Sequence, residues 1–189
     1  MTAIDLSAYV GLVAVGLVTT NMILGLMMAL RYSPVRYWPH HQFNYFRLHN
    51  WTGYLLLGTS ILHPIILLFS PTAGFRIRDI IIYPVHSPSQ PLDNTIGAIA
   101  LYMLAVVVIT SYLRLQLGRQ TWKAFHFVVY AAALALFWHS IFTDSELKNS
   151  PVDPFDGEKV FIEVCLIIVA AIGVLRWRHA VRKAREAQS

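Results

Sequence analysis

Residues 47–64 read RLHNWTGYLLLGTSILHP, and they decide the fold. The segment lies in an apolar run from Tyr45 to Phe69 that holds two histidines, His49 and His63, in the pattern His-x13-His. A second run, Trp122 to Phe142, repeats the device with His126 and His139 in the pattern His-x12-His. An imidazole in hydrocarbon is costly, so an ionisable residue within a membrane span marks a functional site by default. Two matched pairs on two spans point to two stacked cofactors, each held from both sides.

The composition agrees with a membrane setting. The chain has 189 residues, 56% hydrophobic and 13% charged, with a mean hydropathy of +0.53. Soluble domains carry about 25% charged residues. The reading is an all-α membrane protein folded as one domain over residues 1–189. Cys165, the single cysteine, excludes an intrachain disulfide and a Cys-rich iron–sulfur site, and reads as a small buried apolar residue. Met1 to Ser7 contains no Lys or Arg and does not resemble a signal-peptide start, so the apolar stretch after it is kept as a span. Net charge is +5, with Arg176, Arg178, Arg182, Lys183 and Arg185 gathered near the C-terminus. This tail reads as a juxtamembrane segment touching anionic lipid rather than as a nucleic-acid-binding element.

About 20 apolar residues cross a bilayer as a helix. Five segments qualify: Ala8–Leu30, Tyr45–Phe69, Thr95–Leu115, Trp122–Phe142 and Glu158–Trp177. The fifth is the least clean, because Glu158, Lys159 and Glu163 crowd its start. Basic residues fall mainly on one side. Arg31, Arg36, Arg47, Arg114, Arg119 and Lys123 join the tail there, against Arg76, Arg78, Lys148 and Lys159 on the other. The positive-inside rule therefore predicts a five-helix bundle with the N-terminus outside and the C-terminus cytoplasmic. The fourth loop is acidic and rich in Pro and Gly, and reads as exposed turns. The second loop, about Ser70 to Asn94, has Ile77, Ile80, Ile81 and Val85 at helical spacing. A short amphipathic helix from Phe75 to Val85, limited by Pro84 and followed by Pro88 and Pro91, would lie on the outer surface as an anchor or a lid.

Two crossings separate the second and fourth spans, so they run in the same direction. His49 and His126 then lie toward the cytoplasm, and His63 and His139 toward the outside. At about 1.5 Å per residue the histidines of the two spans are separated by about 21 and about 19.5 Å, so the levels match to within one residue. Neutral imidazole is a common axial ligand of haem iron, and bundle cores hold cofactors between facing helices. Gly53 and Gly58, with Ala131, Ala132, Ala133 and Ala135, offer either room for a macrocycle or close helix packing. Gly53 shares a face with His49. Cations at the interfaces suit propionates: Arg47, Arg119 and Lys123 inside, Arg76 and Arg78 outside. The shorter His-x12-His interval leaves His126 and His139 about 140° apart around a helix, which fits less neatly. The fourth span bends or overwinds, or the two cofactors use different flanks. His40, His41, His86 and His179 fall in or beside loops and read as solvated.

Segments 47–64 and 117–139, LGRQTWKAFHFVVYAAALALFWH, resemble the ferric reductase-like transmembrane domain. This family includes ferric reductases, the membrane half of NADPH oxidases and the haem subunit of a bacterial methionine sulfoxide reductase system. The His spacings, Pro64 after His63, and the Leu-Gly…Trp…His run carry the match. The resemblance implies two b-type haems, one held by His49 and His126 and the other by His63 and His139. It also implies electron flow from the cytoplasm outward, in a multi-pass cell membrane protein of the bacterial inner membrane type. Many relatives continue into a flavin- and NADPH-binding domain. This chain stops soon after Trp177 and has no Rossmann-like glycine pattern, so a separate flavoprotein or a quinol would supply electrons. An extra N-terminal span seen in some relatives is absent. Asp144 and Glu146, just past His139, would concentrate ferric ions if iron is the acceptor; oxygen and a protein partner are the alternative acceptors. The competing reading is a non-redox metal-ion transporter built on the same histidines. It lacks the intramembrane Asp, Glu or Cys partners that such a path would use.

Overall fold

The computed structural model describes residues 2–30, 44–81, 89–143 and 153–186. Arg31, Arg36, His40 and His41 of the first loop lie outside the described residues. So do Pro84, Val85, His86 and Pro88 of the second loop, and Asp144, Glu146, Lys148 and Pro151 of the fourth. Among the described residues the fold is all-helical: α1 (Ala3–Ala29), α2 (Tyr45–Leu67), α3 (Ile77–Ile81), α4 (Pro91–Tyr112), α5 (Arg114–Leu117), α6 (Arg119–Phe142) and α7 (Gly157–Glu186).

Helix ends follow local chemistry. α1 starts earlier than hydropathy alone predicts, because Thr2 and Asp5 form a capping box. The Asp5 carboxylate accepts from Thr2 N at 2.7 Å, and Asp5 N donates to the Thr2 hydroxyl at 3.1 Å. The Asn44 side chain accepts from Arg47 N and opens α2. Pro91 supplies the first turn of α4, where a missing N–H costs nothing. α7 runs on through the basic tail, where Arg182 pairs with Glu186 at 3.2 Å. Of the amphipathic helix expected from Phe75 to Val85, the described residues show α3, Ile77–Ile81; residues 82–85 lie outside them.

Among the described residues four helices are long and apolar enough to cross a membrane: α1, α4, α6 and α7. α7, whose start is the most charged, is among them. α2 is not, although its 23 residues extend about 34 Å. Its two histidines, Asn50, Thr52, Tyr54 and Pro64 dilute an otherwise apolar sequence.

α1 packs antiparallel on α2, α4 packs antiparallel on α6, and α7 lies mainly against α1. The core between the hairpins joins Val15, Leu56, Phe137, Leu104 and Ala133, with Cys165 and Ile162 from α7. Cys165 is buried and free, as a small core residue should be. Many large apolar side chains point outward instead, among them Leu55, Leu134, Ile167 and Trp177. Apolar surface on this scale belongs against lipid or another apolar partner.

Candidate cofactor site

The two hairpins bring the four histidines together as two pairs. The His49 and His126 ring centres lie 6.1 Å apart with planes inclined at 64°. The His63 and His139 ring centres also lie 6.1 Å apart, inclined at 74°. All four rings are half-buried. α2 and α6 run parallel here, as the level matching requires. The shorter spacing on α6 does not spoil either pair, and α6 is one helix without a break between His126 and His139.

Each ring is held through Nδ1. His63 Nδ1 lies 2.7 Å from the Ser7 carbonyl, His49 Nδ1 lies 3.0 Å from the Asn21 carbonyl, and His139 Nδ1 lies 2.8 Å from the Asp93 carbonyl. A carbonyl only accepts, so Nδ1 carries the proton in all three. In a neutral imidazole the Nε2 lone pair is then left for a metal. Ser7 and Asn21 also grip the histidine backbone. The Ser7 hydroxyl donates to the His63 carbonyl at 2.8 Å, and Asn21 Nδ2 donates to the His49 carbonyl at 2.7 Å and to Thr52 Oγ1 at 2.8 Å. Both residues are buried. Their interval on α1 equals the interval from His49 to His63 on α2. His126 differs: its Nδ1 faces the Ser111 hydroxyl at 3.3 Å, and its ring lies 5.2 Å from that of Trp122.

Glycines make these approaches feasible. A Cβ at Gly97 would fall 2.7–2.9 Å from the His139 ring; one at Gly11 would fall 3.2 Å from His63 Nδ1. One at Gly25 would meet the His49 ring at 3.5 Å. Each glycine lies four residues after the residue whose carbonyl accepts from that ring.

A cavity opens beside each pair. The one at His49 and His126 has a volume of about 700 Å³ and the one at His63 and His139 about 180 Å³. Gly53 lines the larger cavity, where a Cβ would touch Asn21 Nδ2 at 3.5 Å. Gly58 and the four alanines line neither of the two, and Ala132 and Ala133 are buried in helix packing. Arg119 and Lys123 border the larger cavity, and Arg47 does not. Arg176, His179 and Lys183 of α7 join them, so His179 faces the cavity rather than standing apart from it. Neither Arg76 nor Arg78 borders the smaller cavity. Arg78 is exposed and lies 3.6 Å from Asp79. The cation there is Lys159, 6% exposed, whose ammonium donates to the carbonyls of Ser140 at 2.9 Å and Thr143 at 2.6 Å.

Sequence reasoning named the four histidines and missed the groups that hold them. Backbone acceptors have no residue signature. The interval Ser7–Asn21, repeated by Gly11–Gly25, was the available signal.

Two imidazoles on opposite sides of one metal, each bonded at about 2 Å with its nitrogen about 1 Å from the ring centre, stand about 6 Å apart between centres. Both pairs meet that separation. The pairs also stay pairs: among the described residues, no three His, Cys, Asp or Glu side chains gather as a metal-ion site. Two nitrogens leave four positions of a six-coordinate iron for a macrocycle, so these residues fit haem.

No curated protein and no solved structure matches the chain. The family model described as ferric reductase like transmembrane component matches residues 10–137, from the first third of α1 nearly to the end of α6. It takes in His49, His63 and His126 and stops two residues before His139. The match covers well over half of the chain, which therefore belongs to the ferric reductase-like transmembrane component family.

Proposed function

We propose that this chain is a dihaem b-type electron conduit of the membrane, oxidoreductase-related and working with a separate electron donor. Family membership implies transmembrane electron transfer, and the family typically binds haem. The observation that carries the finer reading is the doubled pair of imidazoles at 6.1 Å, three of them with the proton held on Nδ1. His49 with His126 would hold the inner haem, and His63 with His139 the outer one. When bound, haem supplies a one-electron carrier at each level.

The chain's own residues set the conditions. Ser7, Asn21 and Asp93 orient three imidazoles through Nδ1 and strengthen the donation of Nε2 to a metal. Leu56, Phe137, Leu104 and Ala133 keep the space between the levels dry and packed. Arg119, Lys123, Arg176 and Lys183 suit the inner propionates, and Lys159 suits the outer ones, in place of Arg47, Arg76 and Arg78. With α2 spanning as the fifth helix, the basic end of the bundle faces the cytoplasm, and electrons leave outward. Exposed Trp51, Leu55 and Leu62 on α2 favour lipid contact for that helix. A cytoplasmic flavoprotein or a quinol is the proposed donor, and a multi-pass position in a bacterial inner membrane follows. The outward acceptor is of the ferric reductase type.

Purified protein from cells supplied with haem precursor tests the reading. Two haems per chain are expected by pyridine haemochrome, with paired b-type bands on reduction. Replacing any one histidine of a pair by Ala should remove that haem. A preparation without haem overturns the proposal. Given rings inclined at 64° and 74°, the oxidised protein should show strongly anisotropic low-spin signals in electron paramagnetic resonance.

A further inference from the structure

Three of the four ring contacts follow one rule. The acceptor is a backbone carbonyl, and four residues later the same helix carries a glycine against the ring: Ser7 with Gly11, Asn21 with Gly25, Asp93 with Gly97. The glycine lets the imidazole reach the carbonyl. At the fourth position, on α4, the rule breaks. Advancing from Asp93 and Gly97 by the interval that links Ser7 to Asn21 gives Val107 and Ser111. A serine stands where the glycine would be, and its side chain takes the place that the other three positions leave open. His126 meets the Ser111 hydroxyl instead, at 3.3 Å, and that oxygen also faces Trp122 Nε1 at 3.4 Å. The Val107 carbonyl receives the Thr110 hydroxyl at 3.2 Å. The one-residue shortfall in the α6 histidine spacing thus emerges as a different partner for one ring.

We infer that Ser111 is a positioning residue that leaves His126 a weaker donor to iron than a carbonyl contact would make it, and so raises the reduction potential of the inner haem above the value a carbonyl contact would set. This rests on the dihaem reading. An imidazole N–H held by a strong acceptor gains anionic character, donates more to iron and favours the oxidised metal. A long contact to a neutral hydroxyl, itself shared with an indole N–H, gives less of that donation. A carbonyl also dictates which ring nitrogen carries the proton, and a hydroxyl, which donates or accepts, does not. One of the two inner imidazoles thus has a side-chain hydroxyl as its Nδ1 partner, whereas His49 and both outer imidazoles each reach a backbone carbonyl, with the Ser7 and Thr143 hydroxyls also near the outer pair at 3.0 and 3.1 Å.

Spectroelectrochemical titration of the purified holoprotein tests this. Ser111→Gly opens that place beside the Val107 carbonyl and should lower one of the two midpoint potentials, leaving the other unmoved. Ser111→Ala keeps the Cβ and removes the hydroxyl, and should move the same potential upward. Ser111→Thr keeps both and should restore the original value. In a His139→Ala background, which keeps the inner pair alone, Ser111→Gly should shift the single remaining potential downward. Two bound haems whose potentials ignore Ser111→Gly and Ser111→Ala alike would overturn the inference and leave the conduit standing. A downward shift in Ser111→Ala would overturn it as well. Wild-type protein without haem would overturn both.

Discussion

Gly97 carries the tightest constraint on any of the four imidazoles. In most helices Gly→Ala is stabilising by about 1 kcal/mol, because alanine loses less backbone freedom. Here the new methyl would sit 2.7–2.9 Å from a ring held at 2.8 Å by the Asp93 carbonyl, so the ring must move. Overpacking of this kind costs about 1–3 kcal/mol. Gly97→Ala is expected to lose the outer haem and keep the inner one, read as a fall from two haems per chain toward one. Gly11→Ala, at 3.2 Å, should weaken the outer haem less, and Gly25→Ala, at 3.5 Å, should leave the inner haem in place. Asn21 offers a complementary probe, since its amide donates to both the His49 carbonyl and Thr52. Asn21→Leu strips both donations and should cost about 1–3 kcal/mol of stability in a detergent melt. It should also loosen the inner haem, while Asn21→Gln retains part of each. The pairing of His49 with His126 and His63 with His139 was legible because residue spacing and helix rise fix depth directly. Their acceptors were not, because a carbonyl is the same atom under every side chain. Ser111 was hidden for a further reason. A serine at a helix end has many ordinary uses, and only its failure to be glycine gives it meaning.

Helices were legible to the extent that apolar runs define them, and their ends were not. α1 gains its first turn from Thr2 and Asp5, α4 gains one from Pro91, and α7 stays helical to Glu186, well past Trp177 where the apolar run ends. α2 shows the opposite tension. Its polar residues are the ones that hold the site, so the helix with most of the chemistry is the one of the long five that falls short in apolar character. The join between α6 and α7 has its own device. Lys159, which interrupts the apolar pattern at the start of a span, reaches across to the Ser140 and Thr143 carbonyls at the end of α6. The last carbonyls of a helix need donors, and a cation there also complements the helix dipole. Lys159→Met fills similar volume without the donor. It should lower the thermal midpoint of the purified protein, at a cost of about 1–3 kcal/mol, and Lys159→Arg should recover much of the loss. If propionates of the outer haem use the same ammonium, Lys159→Met also shifts the outer midpoint potential downward while leaving the inner one alone.

Charge divides the molecule as clearly as the histidines do. At the His49–His126 end lie Arg47, Arg114, Arg119 and Lys123, joined by the basic residues of α7 from Arg176 onward. At the His63–His139 end lie Asp5, Asp79, Asp93, Asp153, Asp156 and Glu158, with Arg76, Arg78 and Lys159 among them. Cytoplasmic flanks retain Lys and Arg, and anionic lipid on that face adds about 1 kcal/mol per basic residue near the surface. In the proposed conduit the direction of electron flow would depend on this polarity, because two haems inverted would serve an acceptor in the cytoplasm. α7 provides a ruler for it. Its 30 residues of helix measure about 45 Å, enough to place its two ends on opposite faces. Phe155, 87% exposed just before α7, and Ala184, exposed near its end, are suitable reporters in a Cys165→Ser background. Phe155→Cys should react with an impermeant maleimide in intact spheroplasts. Ala184→Cys should react only after permeabilisation. The reversed pattern would set the inner cavity, with Arg119, Lys123 and Arg176 around it, on the outer face, and an electron donor in the cytoplasm would then meet the acidic end of the bundle first.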